Sequence, residues 1–359
     1  MTANKNTGAL ENLSKAYKSR RLTLYLGAGV SVGSGLPSWE ELVLSMYFSG
    51  IKESPIAPGL RPFPNYLFAI AEWNLERRAE PLDITARKVR NTYQNQNSFL
   101  EDLRHTLYAG FKYPGDQIIQ EPQFEDLLNA NKTLGSVVKL CNSSSQRRGV
   151  SSIVTYNYDD LLEFSLKHSH RPFQSISSAQ QKVEPKKLPI YHVHGFIPMR
   201  DQIPDEEIIF TEEQYYLAAQ DAYSWSNLVQ IQRMSSSVGL MIGLSLTDRN
   251  TRRLLDAVRR TPMVSENYVL LQKPASKRLT PEDVSQIHER ATKHYQRFRG
   301  SGIKTADKKY GEIEGIISLV ESSDFEQEEA VLKTLGVQPI WYEKHTEIPG
   351  IINRITDST

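Results

Sequence analysis

The sequence predicts an α/β fold built on a doubly wound parallel sheet. Short apolar runs alternate with longer stretches of helical periodicity, as a parallel sheet wrapped by helices requires. Several of these runs end in glycine or in polar side chains, the pattern of strands that present ligand-binding groups at their carboxyl ends. The 359 residues also exceed the roughly 250–300 at which one core stops growing. Together these features predict a Rossmann-like sheet with helical insertions forming a second lobe.

Leu10, Leu13, Ala16 and Tyr17 recur at helical spacing ahead of Arg20-Arg21, so residues 1–20 read as an amphipathic N-terminal helix or arm, packed on the core or on a partner. Leu22 to Leu26 is too short for a helix and is ended by Gly27, hence a buried strand. Pro37 and Trp39-Glu40-Glu41 open a helix through about Phe48. From about 50 to 115 the pattern is helical and irregular, with a proline-rich stretch at Pro55 to Pro64 and an aromatic helix around Tyr66, Leu67, Ile70 and Trp73: an inserted helical lobe. Helix returns from Phe124 to Leu140. Apolar runs at Ile153–Tyr156, Ile190–Val193, Ile208–Phe210, Val238–Ile242, Tyr268–Leu271 and Val337–Tyr342 then read as strands. The charged, helix-rich segment 276–335 is a second insertion, leaving 21–275 and 336–359 as the core.

Composition narrows the class. Hydrophobic content of 39% and charged content of 24% are globular values, and the mean hydropathy is −0.47. No run approaches the ~18 apolar residues of a membrane span, and the first residues lack the basic-then-apolar layout of a secretory signal, so a cytoplasmic location with no membrane contact is expected. A net charge of +1, from 43 basic and 42 acidic side chains, lacks the footprint of a dedicated nucleic-acid binder, and no direct nucleic-acid binding is expected. Cys141, the single cysteine, excludes an intramolecular disulfide and any zinc site drawing two or more cysteine ligands. It reads as a small hydrophobe on a helix face.

Three strand ends carry the chemistry. Gly27-Ala28-Gly29-Val30-Ser31 follows the first strand and suits phosphate, since glycines admit close backbone approach and a helix start aims N–H groups at an anion. An ordinary tight turn has the same appearance. Three residues separate Gly29 from Gly33, which departs from the G-x-G-x-x-G fingerprint, and a Walker A loop is absent. Asn157 and Asp159 stand where a strand meets a helix; an N-cap and a first-turn acid are the structural alternatives to a catalytic role. His194, before Gly195 at a strand's end, reads as a base, and His192, deeper in the same strand, as a packed histidine. Gly243-Leu244-Ser245 forms a second glycine-serine turn, either a further ligand contact or a plain turn.

In order along the chain, Gly27-Ala28-Gly29-Val30-Ser31 with Gly35-Leu36-Pro37, Thr155-Tyr156-Asn157-Tyr158-Asp159, His194-Gly195 and Gly243-Leu244-Ser245 resemble the motifs of the sirtuin superfamily. They look most like the sirtuin-like NAD hydrolases of bacterial antiphage defence. The similarity runs from about residue 20 to 260, with the strand at Pro339 to Tyr342 as a further candidate. It implies a pyrophosphate on Gly27, Ala28, Gly29 and Ser31, and Asn157 and Asp159 holding the nicotinamide and its ribose. His194 is implied as general base, with Pro37, Gly243 and Ser245 as further cofactor-binding positions.

Two departures refine this expectation. The superfamily's protein deacylases carry a four-cysteine zinc module that a chain with one cysteine cannot build, so no metal is expected and plain NAD+ hydrolysis is preferred to deacylation. Ser38-Trp39-Glu40 replaces the Asp-Phe-Arg of the sirtuin pattern. The expectation is an NAD+ glycohydrolase with NAD+ as substrate, held inactive at rest by homo-oligomerisation or by a separate sensor or activator. A HerA-type ATPase, a short Argonaute and a nucleotide-sensing protein are the kinds of partner the resemblance implies. A silent NAD or ADP-ribose sensor and a zinc-less deacylase are the competing expectations.

Overall fold

The computed structural model describes residues 2–52, 64–111, 121–142, 148–205, 208–261, 266–274, 280–297 and 310–357. The proline-rich stretch between Pro55 and Pro64 lies almost wholly outside them. In chain order the elements begin α1 (Thr2–Lys18), β1 (Leu22–Leu26), two 3-10 turns (Ala28–Val30 and Val32–Ser34), α2 (Trp39–Lys52), α3 (Pro64–Arg78), α4 (Leu82–Asn91), α5 (Gln96–Tyr108), α6 (Glu121–Ala130) and α7 (Lys132–Cys141). They continue with β2 (Val150–Thr155), α8 (Leu161–His168), β3 (Phe173–Ile176), β4 (Leu188–His192), α9 (Glu212–Gln220), α10 (Trp225–Ser236), β5 (Val238–Ile242) and α11 (Arg249–Arg259). Last come β6 (Asn267–Gln272), α12 (Pro281–Arg297), α13 (Tyr310–Thr334), β7 (Val337–Tyr342) and α14 (Ile348–Asp357).

The seven strands form one sheet in the order β3-β4-β2-β1-β5-β6-β7, every neighbouring pair parallel. Parallel strands are covered on both faces, which is why β1 reads as an uninterrupted buried run. Its pleat still sorts the side chains: Leu22, Leu24 and Leu26 join one apolar cluster and Tyr25 the other. The first cluster takes Leu13 and Tyr17 of α1 and Ile351, Ile352 and Ile355 of α14. The N-terminal helix therefore packs on the core. The second cluster takes Met234 of α10, with Leu254, Leu255 and Val258 of α11. Thr23, polar but fully buried, is satisfied by hydroxyl contacts to Ser152 (2.9 Å) and Ser237 (2.8 Å).

The helices between 64 and 111 are joined to this core: Val89, Phe99, Leu103 and Leu107 belong to the same buried cluster as Leu22 and Ile153. Helix α13 touches the sheet through Leu332 and through Phe325 against Trp341, while Leu319 is 70% exposed. Cys141 is buried on α7, and desolvation pushes its thiol up to about 12, as an inert hydrophobe requires.

Two expected elements differ, and one strand was not expected. Ile208–Phe210 joins no strand; Ile209 N donates to the His194 carbonyl (2.9 Å) and Phe210 packs edge-on to Trp39 and Phe99, so this apolar run is a largely buried loop beside the end of β4. The edge strand β3 was not anticipated, because Phe-Gln-Ser-Ile is half-buried and has no apolar run to betray it. The helix expected across 124–140 is two, broken at Asn131, whose side chain caps α7 by accepting from Leu134 N (3.1 Å).

The sheet reverses direction of winding beside β1: β2, β4 and β3 lie to one side, β5, β6 and β7 to the other. Open α/β sheets bind ligands outside the carboxyl ends of their strands at such a switch point. Leu26 is level with both Thr155 and Ile242, and Thr155 with His192. The carboxyl ends of β5, β1, β2 and β4 therefore stand in one row.

Candidate functional site

Beyond the row, the ladder continues for one step through Gly27 N to Ile242 O (3.0 Å), Tyr156 N to Leu26 O (2.9 Å) and Val193 N to Thr155 O (3.1 Å). The four strands then release their next residues into the crevice. Asn157 stands two residues past Thr155 and His194 two past His192, so they hold equivalent positions on adjacent strands. Neighbouring strands lie about 4.8 Å apart, a separation one sugar ring spans.

Asn157 is held on several sides. Its N–H donates to Thr155 Oγ1 (3.1 Å), and its Nδ2 donates to Gly27 O (3.2 Å) and Ser31 Oγ (3.2 Å). A carbonyl only accepts, so the amide nitrogen must face Gly27 and the orientation of the carboxamide is unambiguous. Both Nδ2 hydrogens are used, and Oδ1 has no partner among the described residues. Asn157 is therefore not the N-cap of α8; Asp160 takes that place.

Ser31 links Asn157 to Asp159, donating to Asp159 Oδ2 (3.0 Å), and Asp159 Oδ1 also accepts from Leu161 N (3.1 Å) at the first turn of α8. Burial raises the Asp159 carboxyl to about 6, against the hydrogen bonds from Leu161 and Ser31 that favour its ionised form. The sign follows: a carboxyl whose folded value is raised adds stability below its unfolded value near 3.8 and loses it as pH rises through about 6. Asp159→Asn, free of this ionisation, is expected to be about 1–3 kcal/mol more stable than the parent at pH 8 and to lose the decline between pH 4 and 6. Urea unfolding at pH 4 and 8 measures both; a less stable variant at pH 8 would contradict the assignment.

The two glycine turns pack on each other. Gly29 N donates to Gly243 O (3.2 Å), and a Cβ on Gly29 would lie 2.8 Å from the Gly243 Cα. Gly243 has φ +70 and its missing Cβ would meet Val30 N at 2.8 Å. These glycines are thus required by backbone contact between the turns. The first turn continues as two 3-10 turns, with α2 beginning only at Trp39. A long helix start does not stand behind it. Among the described residues the Ala28 N–H has no acceptor, which leaves a donor at the turn. Asn131 braces the loop, donating from Nδ2 to Val30 O (2.8 Å) and Ser34 Oγ (2.9 Å).

His194 is 7% exposed and lies between two aromatic edges, Tyr156 at 5.0 Å and Tyr215 at 5.6 Å between ring centroids. Its imidazole has no hydrogen-bond partner among the described residues. Desolvation lowers its pKa from the ordinary 6.5, opposed by the Asp248 carboxylate, which also caps α11 through Thr251 N (2.6 Å). The shift favours the neutral ring, the form that can accept a proton. His192 is packed as expected, but with a polar partner: its Nε2 lies 2.6 Å from Glu163 Oε1.

The structure therefore brings Gly27, Ser31, Asn157 and Asp159 into one hydrogen-bonded group, with Gly29 and Gly243 packed beside it and His194 on the neighbouring strand end. Ser245 bonds within its own loop to Thr247 Oγ1 (2.8 Å), and Pro37 lies just ahead of α2 and shares no hydrogen bond with the group. The sequence reading missed Asn131, Glu163 and Tyr215. Asn131 had a visible signal, an asparagine breaking a helical pattern; the other two acquire neighbours only through the fold. Among the described residues no three His, Cys, Asp or Glu side chains are grouped to hold a metal, and no helix is long and apolar enough to cross a membrane.

Residues 151–296 match the family model of the SIR2-like domain. The match holds Asn157, Asp159, His194, Gly243 and Ser245, begins after the first glycine turn and extends through most of α12. No curated protein matches the chain.

Proposed function

We propose that this chain is an NAD+ glycohydrolase, cleaving NAD+ to nicotinamide and ADP-ribose. SIR2-like domains are in general NAD-dependent. The observation that carries the reading is the pairing, on adjacent strand ends beside the switch point, of an oriented carboxamide and a buried imidazole, with Oδ1 and the ring nitrogens free of partners among the described residues.

Hydrolysis breaks the bond between the ribose C1′ and the nicotinamide N1, the electron pair leaving with nicotinamide, and a water oxygen bonds to C1′ while its proton is taken up. The transition state has oxocarbenium character, so what the protein supplies is orientation and a base. Asn157 Oδ1 is the acceptor that orients the nicotinamide end of the substrate. His194 takes the proton from water or from a ribose hydroxyl. Gly27, Ala28, Gly29 and Ser31 line the pyrophosphate, with Pro37, Gly243 and Ser245 as outer contacts, and Asp159 holds Ser31 in place.

Unregulated cleavage would empty a cell of NAD+. The resting state is therefore held inactive, by homo-oligomerisation or by a separate sensor protein, in the manner of a bacterial antiphage effector that acts by abortive infection. NAD+ incubated with the protein and resolved by chromatography, with mass photometry alongside, tests this. Nicotinamide and ADP-ribose in equal amounts, rising with a change of assembly, are expected; no release in any assembly state would contradict the reading.

A base works deprotonated, and the pKa of His194 is lowered, so the acid limb of kcat/KM is expected to fall below pH 6.5, the ordinary imidazole value. A limb above that value would assign the proton transfer to another group.

A further inference from the structure

We propose that His192 and Glu163 form a buried positioning pair that fixes the direction of Asn157; the inference rests on the NAD+-cleaving reading for its kinetic consequence and on geometry for the rest. Both side chains are withdrawn from water, at 0% and 8% exposure. His192 Nε2 lies 2.6 Å from Glu163 Oε1, and its Nδ1 lies 3.3 Å from the Asn157 carbonyl. The ring packs against Phe196, tilted by 45° with centroids 4.2 Å apart. Ser175 Oγ donates to the same Glu163 oxygen (3.1 Å).

The donor assignment follows from the partners. The Asn157 carbonyl can only accept, so Nδ1 carries the hydrogen. On the other side of the ring Nε2 faces Glu163 Oε1 at 2.6 Å, so the imidazole is held at both nitrogens. A histidine whose far nitrogen is fixed by a carboxylate has its tautomer and ring plane fixed with it. Here that constraint is passed to the backbone of Asn157. With its N–H tied to Thr155 Oγ1 and its carbonyl tied to His192, the residue has its backbone direction set on both sides, and the carboxamide is delivered to Gly27 and Ser31 with Oδ1 left open. A packed histidine acting only as filler would need no buried acid beside it, and burying an unpaired acid is costly. The pair makes the site's orientation independent of the crevice's own contents.

Selective 15N labelling of histidine and asparagine in the intact chain reads the pair without substrate. In the parent, His192 Nδ1 is expected to carry a hydrogen bonded to the Asn157 carbonyl, and the Asn157 side-chain amide to exchange at least about tenfold more slowly than exposed asparagines. Glu163→Gln keeps both features, since its carboxamide donates to Nε2 and Ser175 turns to accept. His192→Phe, which preserves a ring against Phe196, speeds Asn157 amide exchange about tenfold or more; Glu163→Ala carries the same expectation should that variant not fold. In turnover, His192→Phe lowers kcat about tenfold or more with KM within about threefold, and Glu163→Gln stays within about threefold of the parent in both. Unchanged Asn157 exchange in His192→Phe, or a Glu163→Gln as impaired as His192→Phe, would overturn the proposal. A parent that cleaves no NAD+ while the exchange pattern holds would remove the functional reading and leave the pair standing.

Discussion

Asn157→Ala is expected to lower NAD+ turnover by about 10²-fold or more with little loss of stability, and His194→Ala by about 10²–10⁴-fold. The two losses have different origins. Asn157 contributes orientation: its carboxamide is locked through Nδ2 to Gly27 O and Ser31 Oγ, and what it offers the substrate is the remaining Oδ1. Without it the substrate's nicotinamide end loses its acceptor, and reacting groups misplaced by about 1 Å cost about 10²-fold. Under the proposed reaction His194 is the proton acceptor, and its burial beside Tyr156 and Tyr215 lowers its pKa in favour of the neutral ring. Steady-state kinetics of nicotinamide release separate the two, and binding of ADP-ribose measured by calorimetry is expected to survive His194→Ala within about threefold. Variants that retain parental turnover would remove these residues from the chemistry.

Gly27→Ala is expected to destabilise the fold by about 3 kcal/mol and to lower turnover at least as much as Asn157→Ala. The backbone of Gly27 is extended, with φ −119 and ψ 179, so conformation is no obstacle to a side chain. Space is the obstacle: a Cβ would lie 2.4 Å from Gly243 O and 2.5 Å from Leu244 Cδ2. The β5 turn must retreat, and Gly27 O, the acceptor that orients Asn157, moves with it. Gly8→Ala, on an open face of α1, is the matched control and is expected to be neutral or slightly stabilising. Denaturant midpoints of the two variants decide the matter; equal midpoints would mean that the turns do not bear on each other in solution.

Much of this molecule is legible in the sequence because a parallel sheet writes its strands as short apolar runs. Leu22–Leu26, Val238–Ile242 and Val337–Tyr342 are strands to the residue. The same signal misleads at Ile208–Phe210, where an apolar loop is buried for its contacts with Trp39 and Phe99, and is silent at β3, an edge strand too polar to show. The site divides in the same way. Strand-end position in the sequence singles out Asn157, Asp159 and His194 as candidates. The reason for the glycines is hidden, since the contact of Gly29 with Gly243 joins positions more than two hundred residues apart. Glu163 is hidden for a related reason: on α8 it looks like a helix-surface acid, and only the placement of β4 beside β2 sets it against His192.

A crystal structure of the His194→Ala variant soaked with NAD+ tests most directly whether Asn157 and His194 serve one ribose. The nicotinamide ribose is expected above the ends of β2 and β4, with Asn157 Oδ1 within hydrogen-bond distance of the nicotinamide end and the space vacated by the imidazole facing C1′ or a ribose hydroxyl. A dinucleotide bound with its nicotinamide ribose away from both strand ends, or on the far face of the sheet, would contradict a shared role for the two residues.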